Sequence, residues 1–462
     1  MAPRRRWLFR ALLAVVILSL LGTTAALSLA YEPTNLQPGT IEKAANGTTV
    51  VAMQGFHFQG EADPKKPARL VAVDSRGTVE WTYNGSARGA SWFYDVDPLP
   101  NGNLLAVNTA RGKTFIYELN PETGERVWTE VLPVTDTHDV DLINGDELLV
   151  GNLRNSSGET SDERVYIYNR TTDSVTWEWH FEEHYPRDTD VGVSNTDDWS
   201  HVNDVDKIGE GTFLVSPRNF DQVIVINRSM KRVTMRLGAD GNHTILDEQH
   251  NPTYLEGKDG TPTILVADSE NDRVVEYARE NNSWERVWTV GTDQLNWPRD
   301  ADRLPNGNTL IVDTLGQRVI EVTPRGEIVW ELFAPWAPYD AERLAYGDEA
   351  GGPTMRDMNV SGSYELSGGA ETRAGPGADT SFPTWLALAF GDTPVSGPVG
   401  TFAEFWEGIS QWIKPVWMAP WGFVALVGAG LLVLVWAVGE ALYGRRRLRR
   451  GLARAIGRSS DR

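Results

Sequence analysis

The chain has 462 residues, a net charge of −20, seven histidines and no cysteine, which excludes disulfides, a thiol nucleophile and thiolate-bound metal or iron–sulfur sites. Residues 31–415 carry 61 acidic side chains against 31 basic ones, and the whole chain holds only eight lysines. Such a surface argues against nucleic acid as a partner and suits strong salt screening, so it points to a halophile.

The first segment, residues 7–30, contains "ALLAVVILSLLGTTAALSLA" behind "PRRRWLFR". It is long enough to span a bilayer as an anchor; the alternative is a cleaved signal peptide. From residue 45 a repeat begins. "WFYDVDPLPNGNLLAVNT", "DTHDVDLINGDELLVGNL", "HVNDVDKIGEGTFLVSPR", "EQHNPTYLEGKDGTPTILVADS" and "WPRDADRLPNGNTLIVDT" each read as strand, Gly-containing turn, strand. Outer strands recur as "VEWTY", "RVWTE", "VTWEW", "VTMRL", "RVWTV" and "IVWEL". Six units of four antiparallel strands at this period predict an all-β, six-bladed β-propeller over 45–346, with insertions at 154–163 and 182–199. "NGTTVVAMQG" (46–55) has no Asp-x-Asp strand before it, and "PYDAERLAYG" (338–347) supplies one after the sixth unit, so the last strand is expected to complete the first blade.

Residues 347–379 are Gly-rich and read as an irregular linker, and 380–414 form an aromatic segment expected at a membrane interface. A second span covers 415–443, with Trp417, Trp421, Trp436 and Tyr443 at its ends, and 444–462 form a basic tail. Basic flanks remain cytoplasmic, so both termini are expected inside and the propeller outside, anchored in the lipid bilayer. Eight Asn-x-Ser/Thr sequons, at Asn46, Asn84, Asn155, Asn169, Asn227, Asn242, Asn281 and Asn359, suit an exported surface open to N-glycans.

The residue just ahead of each Asp-x-Asp equivalent is Tyr94, His138, Asn203, His250, Arg299 and Tyr339. In a propeller these positions ring the central channel, where small or apolar residues are the usual choice. Two of the seven histidines fall in this column of six, and His201 lies two before Asn203, on the same face if the strand is extended there. Arg218, ending the second strand of that blade, returns toward the same channel. Imidazoles, an amide and guanidinium groups can bind metal, but as donors they fit an oxyanion better. A sulfuryl group carries less charge than a phosphoryl group, so its transfer needs no metal and no cofactor is expected. A neutral imidazole is then available as nucleophile and a protonated one as acid.

These residues carry a resemblance. The "W-x-H-x-N" of "DWSHVND", the "S-x-R" of "LVSPRNFDQV", "EQHNP" and "THDVD" resemble, in order, motifs of the PAPS-independent arylsulfotransferases, six-bladed propellers acting through a sulfohistidine. The resemblance implies His250 as nucleophile, His201 and His138 as further catalytic histidines, Asn203 beside His201, and Arg218 as sulfate ligand. Tyr94, Arg299 and Tyr339 of the same column are expected to contact substrate. The implied partners are an aryl sulfate donor and a hydroxyl acceptor. Characterised bacterial members carry an N-terminal β-sandwich and a disulfide, and this sequence departs from them in both. Two other readings compete: a non-catalytic propeller binding an extracellular ligand or partner, and a quinoprotein-like redox propeller, which is usually eight-bladed.

Overall fold

A computed structural model describes residues 3–33, 35–56, 65–155, 162–189, 198–348, 350–369, 381–391 and 393–459. The chain forms two compact units, 35–370 and the pair of terminal segments 1–34 with 371–462.

The larger unit is a six-bladed β-propeller. Blade 1 takes its innermost strand, Pro338–Arg343, from the far end of the propeller and pairs it antiparallel with Thr49–Met53, followed by Arg69–Val73 and Val79–Asn84. Blades 2 to 6 begin with Trp92–Pro98, Val140–Ile143, Val202–Gly209, His250–Glu256 and Pro298–Arg303, and each continues outward in chain order. Inner strands such as Thr49–Met53 and Pro298–Arg303 are buried on both faces, whereas outer strands such as Arg126–Leu132 alternate between half-buried and exposed. Among the described residues, six apolar clusters fill the gaps between neighbouring blades, and every one draws on two of them.

The repeated aspartates stitch the blades together. Asp139 Oδ2 accepts the Val205 N–H of the next blade (2.6 Å), Asp340 Oδ2 that of Val96 (2.9 Å), and Asp300 Oδ2 that of Ala341 (3.3 Å). The second acid of blade 3, Asp141, takes Lys207 N–H in the same sense (2.9 Å). A bulged inner strand leaves N–H groups without a partner in its own sheet, and a short carboxylate reaches them from the side.

Two additions lay outside the repeat pattern. Gln37–Ile41 joins blade 6 as a fifth strand beside Ile328–Phe333, and Gly362–Tyr364 pairs in parallel with Ser283–Val290 of blade 5. The second corrects the reading of 347–379 as an irregular linker. Met355 is buried in the cluster between blades 5 and 6, with Met358, Val360, Tyr364 and Leu366 packed against it. Met358, Val360, Tyr364 and Leu366 alternate, but Gly362 and the polar residues between them break the apolar run that would mark a strand. Of the two insertions, 156–161 and 190–197 lie outside the described residues.

The smaller unit holds α1 (Pro3–Leu29), α2 (Phe382–Phe390), α3 (Ser396–Ile413) and α4 (Pro420–Ser459). Segments Arg6–Leu29 and Pro420–Arg445, each with mean hydropathy 2.3, are long and apolar enough to cross a membrane. The helices α1 and α4 run antiparallel. Glu440 accepts Arg10 Nε (2.8 Å) and pairs with Arg6, while Thr24 Oγ1 donates to Gly422 O (3.0 Å) near the other end. Around α2 and α3, the rings of Phe382, Trp385, Phe402, Trp406 and Trp421 pack edge to face or stacked.

Candidate active site

The column ahead of the aspartates is placed by β-bulges. In blade 2, Phe93 pairs with Asn108 and Asp95 with Val107, so Tyr94 is the extra residue; Arg299 and Tyr339 are extra in the same way. The register also slips across Asn203 in blade 4 and directly after His250 in blade 5. A bulge re-aims its side chain without disturbing the ladder on either side, which is how a strand buried on both faces presents a polar group to the channel. His138 stands just ahead of Val140–Ile143.

His201 is not on an extended strand. It precedes Val202–Gly209 with a left-handed backbone (φ 43°), a conformation costly for a non-glycine residue. Buried Glu163 holds the loop in that shape: it accepts Trp199 N–H (2.6 Å), Ser200 N–H and the Ser200 hydroxyl. The His201 ring nevertheless lies 5.0 Å, centroid to centroid, from that of His138.

Each of the three imidazoles has its Nδ1 occupied. His138 Nδ1 lies 2.7 Å from the Asp136 carbonyl, His201 Nδ1 lies 2.8 Å from Asp198 Oδ1, and His250 Nδ1 lies 2.8 Å from Ser269 Oγ and 3.1 Å from the Glu248 carbonyl. Carbonyl and carboxylate oxygens only accept, and Ser269 spends its own proton on Pro298 O (2.7 Å). All three rings therefore carry the proton on Nδ1 and keep the Nε2 lone pair. For His250 that Nε2 is fully buried and has no hydrogen-bond partner.

Around them, Tyr94 stacks on His138 at 3.9 Å and donates its hydroxyl to Asp136 Oδ1 (2.6 Å). Tyr339 lies edge-on to Tyr94, His138 and His250, and its buried hydroxyl has no partner. Arg299 sits over Trp297 (3.9 Å) and Tyr339 (4.6 Å) and donates to Gln54 Oε1 (2.8 Å). Arg218 lies 3.4 Å from Glu248 Oε2 and donates from Nε to Asn219. Asn203 uses one amide N–H on Gln249 O (2.9 Å) and keeps the other.

Burial pushes His138 and His201 down to about 3 and His250 well below the usual imidazole range; Arg218 lowers all three, and Arg299 adds to it at His138 and His250. Burial raises Tyr94 and Tyr339, so both phenols stay protonated. At neutral pH the channel thus offers neutral imidazoles beside two guanidinium groups.

The arylsulfotransferase (ASST) family matches residues 41–285, more than half of the chain. The chain belongs to the arylsulfotransferase family. The matched span contains Tyr94, His138, His201, Asn203, Arg218 and His250, while Arg299 and Tyr339 lie beyond it. No curated relative matches this arylsulfotransferase. Among solved structures it is similar to a protein of unknown function from Bacteroides caccae (12% identity, TM-score 0.42, covering 71% of this chain and all of that one). It is also similar to virginiamycin B lyase from Staphylococcus aureus (12%, 0.34, 54% and 71%) and to an auxiliary nutrient binding protein from Bacteroides thetaiotaomicron (14%, 0.38, 58% and 74%).

Sequence reading missed the residues that hold these side chains: Ser269, Asp198, Asp136, Gln54 and Trp297. One had a signal. Aligning "LVSPR" with "LVADS" sets Ser269 at the position Arg218 occupies one blade earlier. The other four sit in loops or at strand ends where the repeat has no fixed length.

Proposed function

We propose that the chain moves a sulfuryl group from an aryl sulfate ester to a phenol-like or other hydroxyl acceptor, by a ping-pong route through His250. The observation that supports this reading is a neutral imidazole whose Nδ1 is tied down and whose buried Nε2 is unengaged, beside Arg218 and Arg299. His250 Nε2 attacks sulfur, and the N–S bond forms as the S–O(aryl) bond breaks. The leaving phenolate takes a proton from the His138–His201 pair. In the second half-reaction the acceptor hydroxyl returns that proton to the pair, and its oxygen takes the sulfuryl group, restoring neutral His250. In this reading Arg218, Arg299 and the second Asn203 N–H hold the sulfuryl oxygens, the main task in this class of transfer. The pair is neutral in the empty channel, chiefly through burial, with guanidinium charge adding to it; the proton it passes to the phenolate is taken up from solvent as the anionic sulfate ester binds and offsets that charge.

The same proposal sets the propeller outside the cell on two membrane helices. Its supports are the basic flanks, the antiparallel pairing of α1 with α4, and the sequons. Asn46, Asn84, Asn242, Asn281 and Asn359 are exposed, and Asn169 and Asn227 half-buried. The test is incubation of the full chain, in detergent and high salt, with a ³⁵S-labelled aryl sulfate. An acid-labile, base-stable label on His250, absent from His250→Asn, is expected. Wild-type turnover in His250→Asn would overturn the mechanism and return the column to ligand binding.

A further inference from the structure

Below the imidazoles the same channel changes character. A cavity of about 50 Å³ is lined by ten carboxylates, with no lysine or arginine among its lining residues. Three of them, Asp139 on blade 3 with Asp204 and Asp206 on blade 4, each bring an oxygen within 4.8 Å of the other two. An independent group points into the same space: the Tyr339 hydroxyl lines the cavity, is 1% exposed and has no hydrogen-bond partner. Across the cavity, Asp302 Oδ2 is likewise buried and unpartnered.

We propose that this chamber binds a hard divalent cation of the calcium class, held by Asp139, Asp204 and Asp206. The donor set is all oxygen, which selects against soft and imidazole-seeking metals. Calcium takes 6–8 oxygens at roughly 2.3–2.6 Å, so ligand atoms on opposite sides lie up to about 5 Å apart; magnesium, at roughly 2.0–2.1 Å, demands a tighter cage. Oxygens within 4.8 Å of one another can share an ion of calcium's size. Volume remains for waters that complete the shell and bridge to Tyr339 and Asp302. The ion joins two neighbouring blades, and it offsets the mutual repulsion of the carboxylates around it.

The test uses the full chain in detergent and potassium chloride, stripped with chelator and then titrated with calcium alone. The expected result is one tight equivalent per chain and an unfolding midpoint that rises with calcium. The Asp204→Asn/Asp206→Asn double variant should lose at least about tenfold in affinity, because it removes two of three charged ligands. His243→Ala probes the surface trio Asp221, His243 and Asp247 and should bind calcium as wild type does. The single variant Asp206→Asn, at a half-buried position, covers failure of the double variant to fold. No saturable calcium, a midpoint indifferent to calcium, or equal affinity in wild type and Asp206→Asn would overturn the proposal. None of these outcomes bears on sulfuryl transfer, which is read separately from label on His250.

Discussion

Two adjacent rungs of the same six strands have opposite sequence behaviour. One reads Asp95, Asp139, Asp204, Asn251, Asp300 and Asp340, nearly one residue type throughout; the rung before it reads Tyr94, His138, Asn203, His250, Arg299 and Tyr339. Asp139, Asp300 and Asp340 of the uniform rung do the same job, each accepting an N–H from the next blade. The varied rung faces one shared space, and in the proposed reaction its positions meet different parts of one ligand. Repetition marks a joint, and variation inside the repeat marks the chemistry.

Breaking the varied rung should therefore hurt activity far more than folding. His250→Asn is expected to abolish both phenol release and labelled protein, while circular dichroism and the unfolding midpoint stay close to wild type. Arg218→Ala should slow sulfuryl transfer by on the order of 10²–10³, the usual loss for one oxyanion donor, and leave trace labelling detectable in a filter assay. Breaking the uniform rung should do the reverse. Asp340→Ala leaves Val96 N–H buried without its acceptor and should cost about 1–3 kcal/mol of stability, seen in chemical denaturation. Asp340→Asn, which keeps an accepting oxygen, should lose less.

A smaller effect sharpens the comparison. Ser269→Ala removes one of the two acceptors that hold His250 Nδ1. One hydrogen bond of about 1 kcal/mol corresponds to about fivefold in rate, expected in kcat with KM unchanged and restored by Ser269→Thr. The least change should come from acid. Because burial holds His250 well below the ordinary imidazole value, its nucleophilic neutral form persists as pH falls. The rate of label uptake should fall by less than about twofold between pH 7 and 5, where a free imidazole of pKa about 6.5 loses most of its neutral form. A proportional loss, measured by rapid-quench labelling, would mean that His250 is far more solvated than its surroundings indicate.

The fold was legible because the blade repeat recurs six times with its turns intact, and because "PYDAERLAYG" matches the strand blade 1 lacks. The site was legible in part. Its functional groups stand at one fixed offset from the aspartates, so alignment of the repeats finds Tyr94, His138, Asn203, His250, Arg299 and Tyr339 together. The bulges that aim them were not legible, since an extra residue in a strand leaves no mark on an apolar alternation already hidden by burial on both faces. The geometry of His201 was missed for a related reason: its backbone is set by Glu163, thirty-eight residues away across an insertion. Gln37–Ile41 and Gly362–Tyr364 were invisible because each adds to an edge that the repeat already leaves complete.

The pairing of Thr49–Met53 with Pro338–Arg343 also dictates an order of events during synthesis. Until residue 343 has been made, blade 1 has an open inner edge and Asp340 cannot reach Val96. The nascent chain thus carries an incomplete ring through the making of five further blades, and the contact that closes it is among the most distant in the sequence. Contacts of that range form slowly, and an unpaired strand edge is a template for joining a second chain. Assembly of this propeller should be most vulnerable to aggregation just before its last strand arrives, whatever the stability of the finished ring.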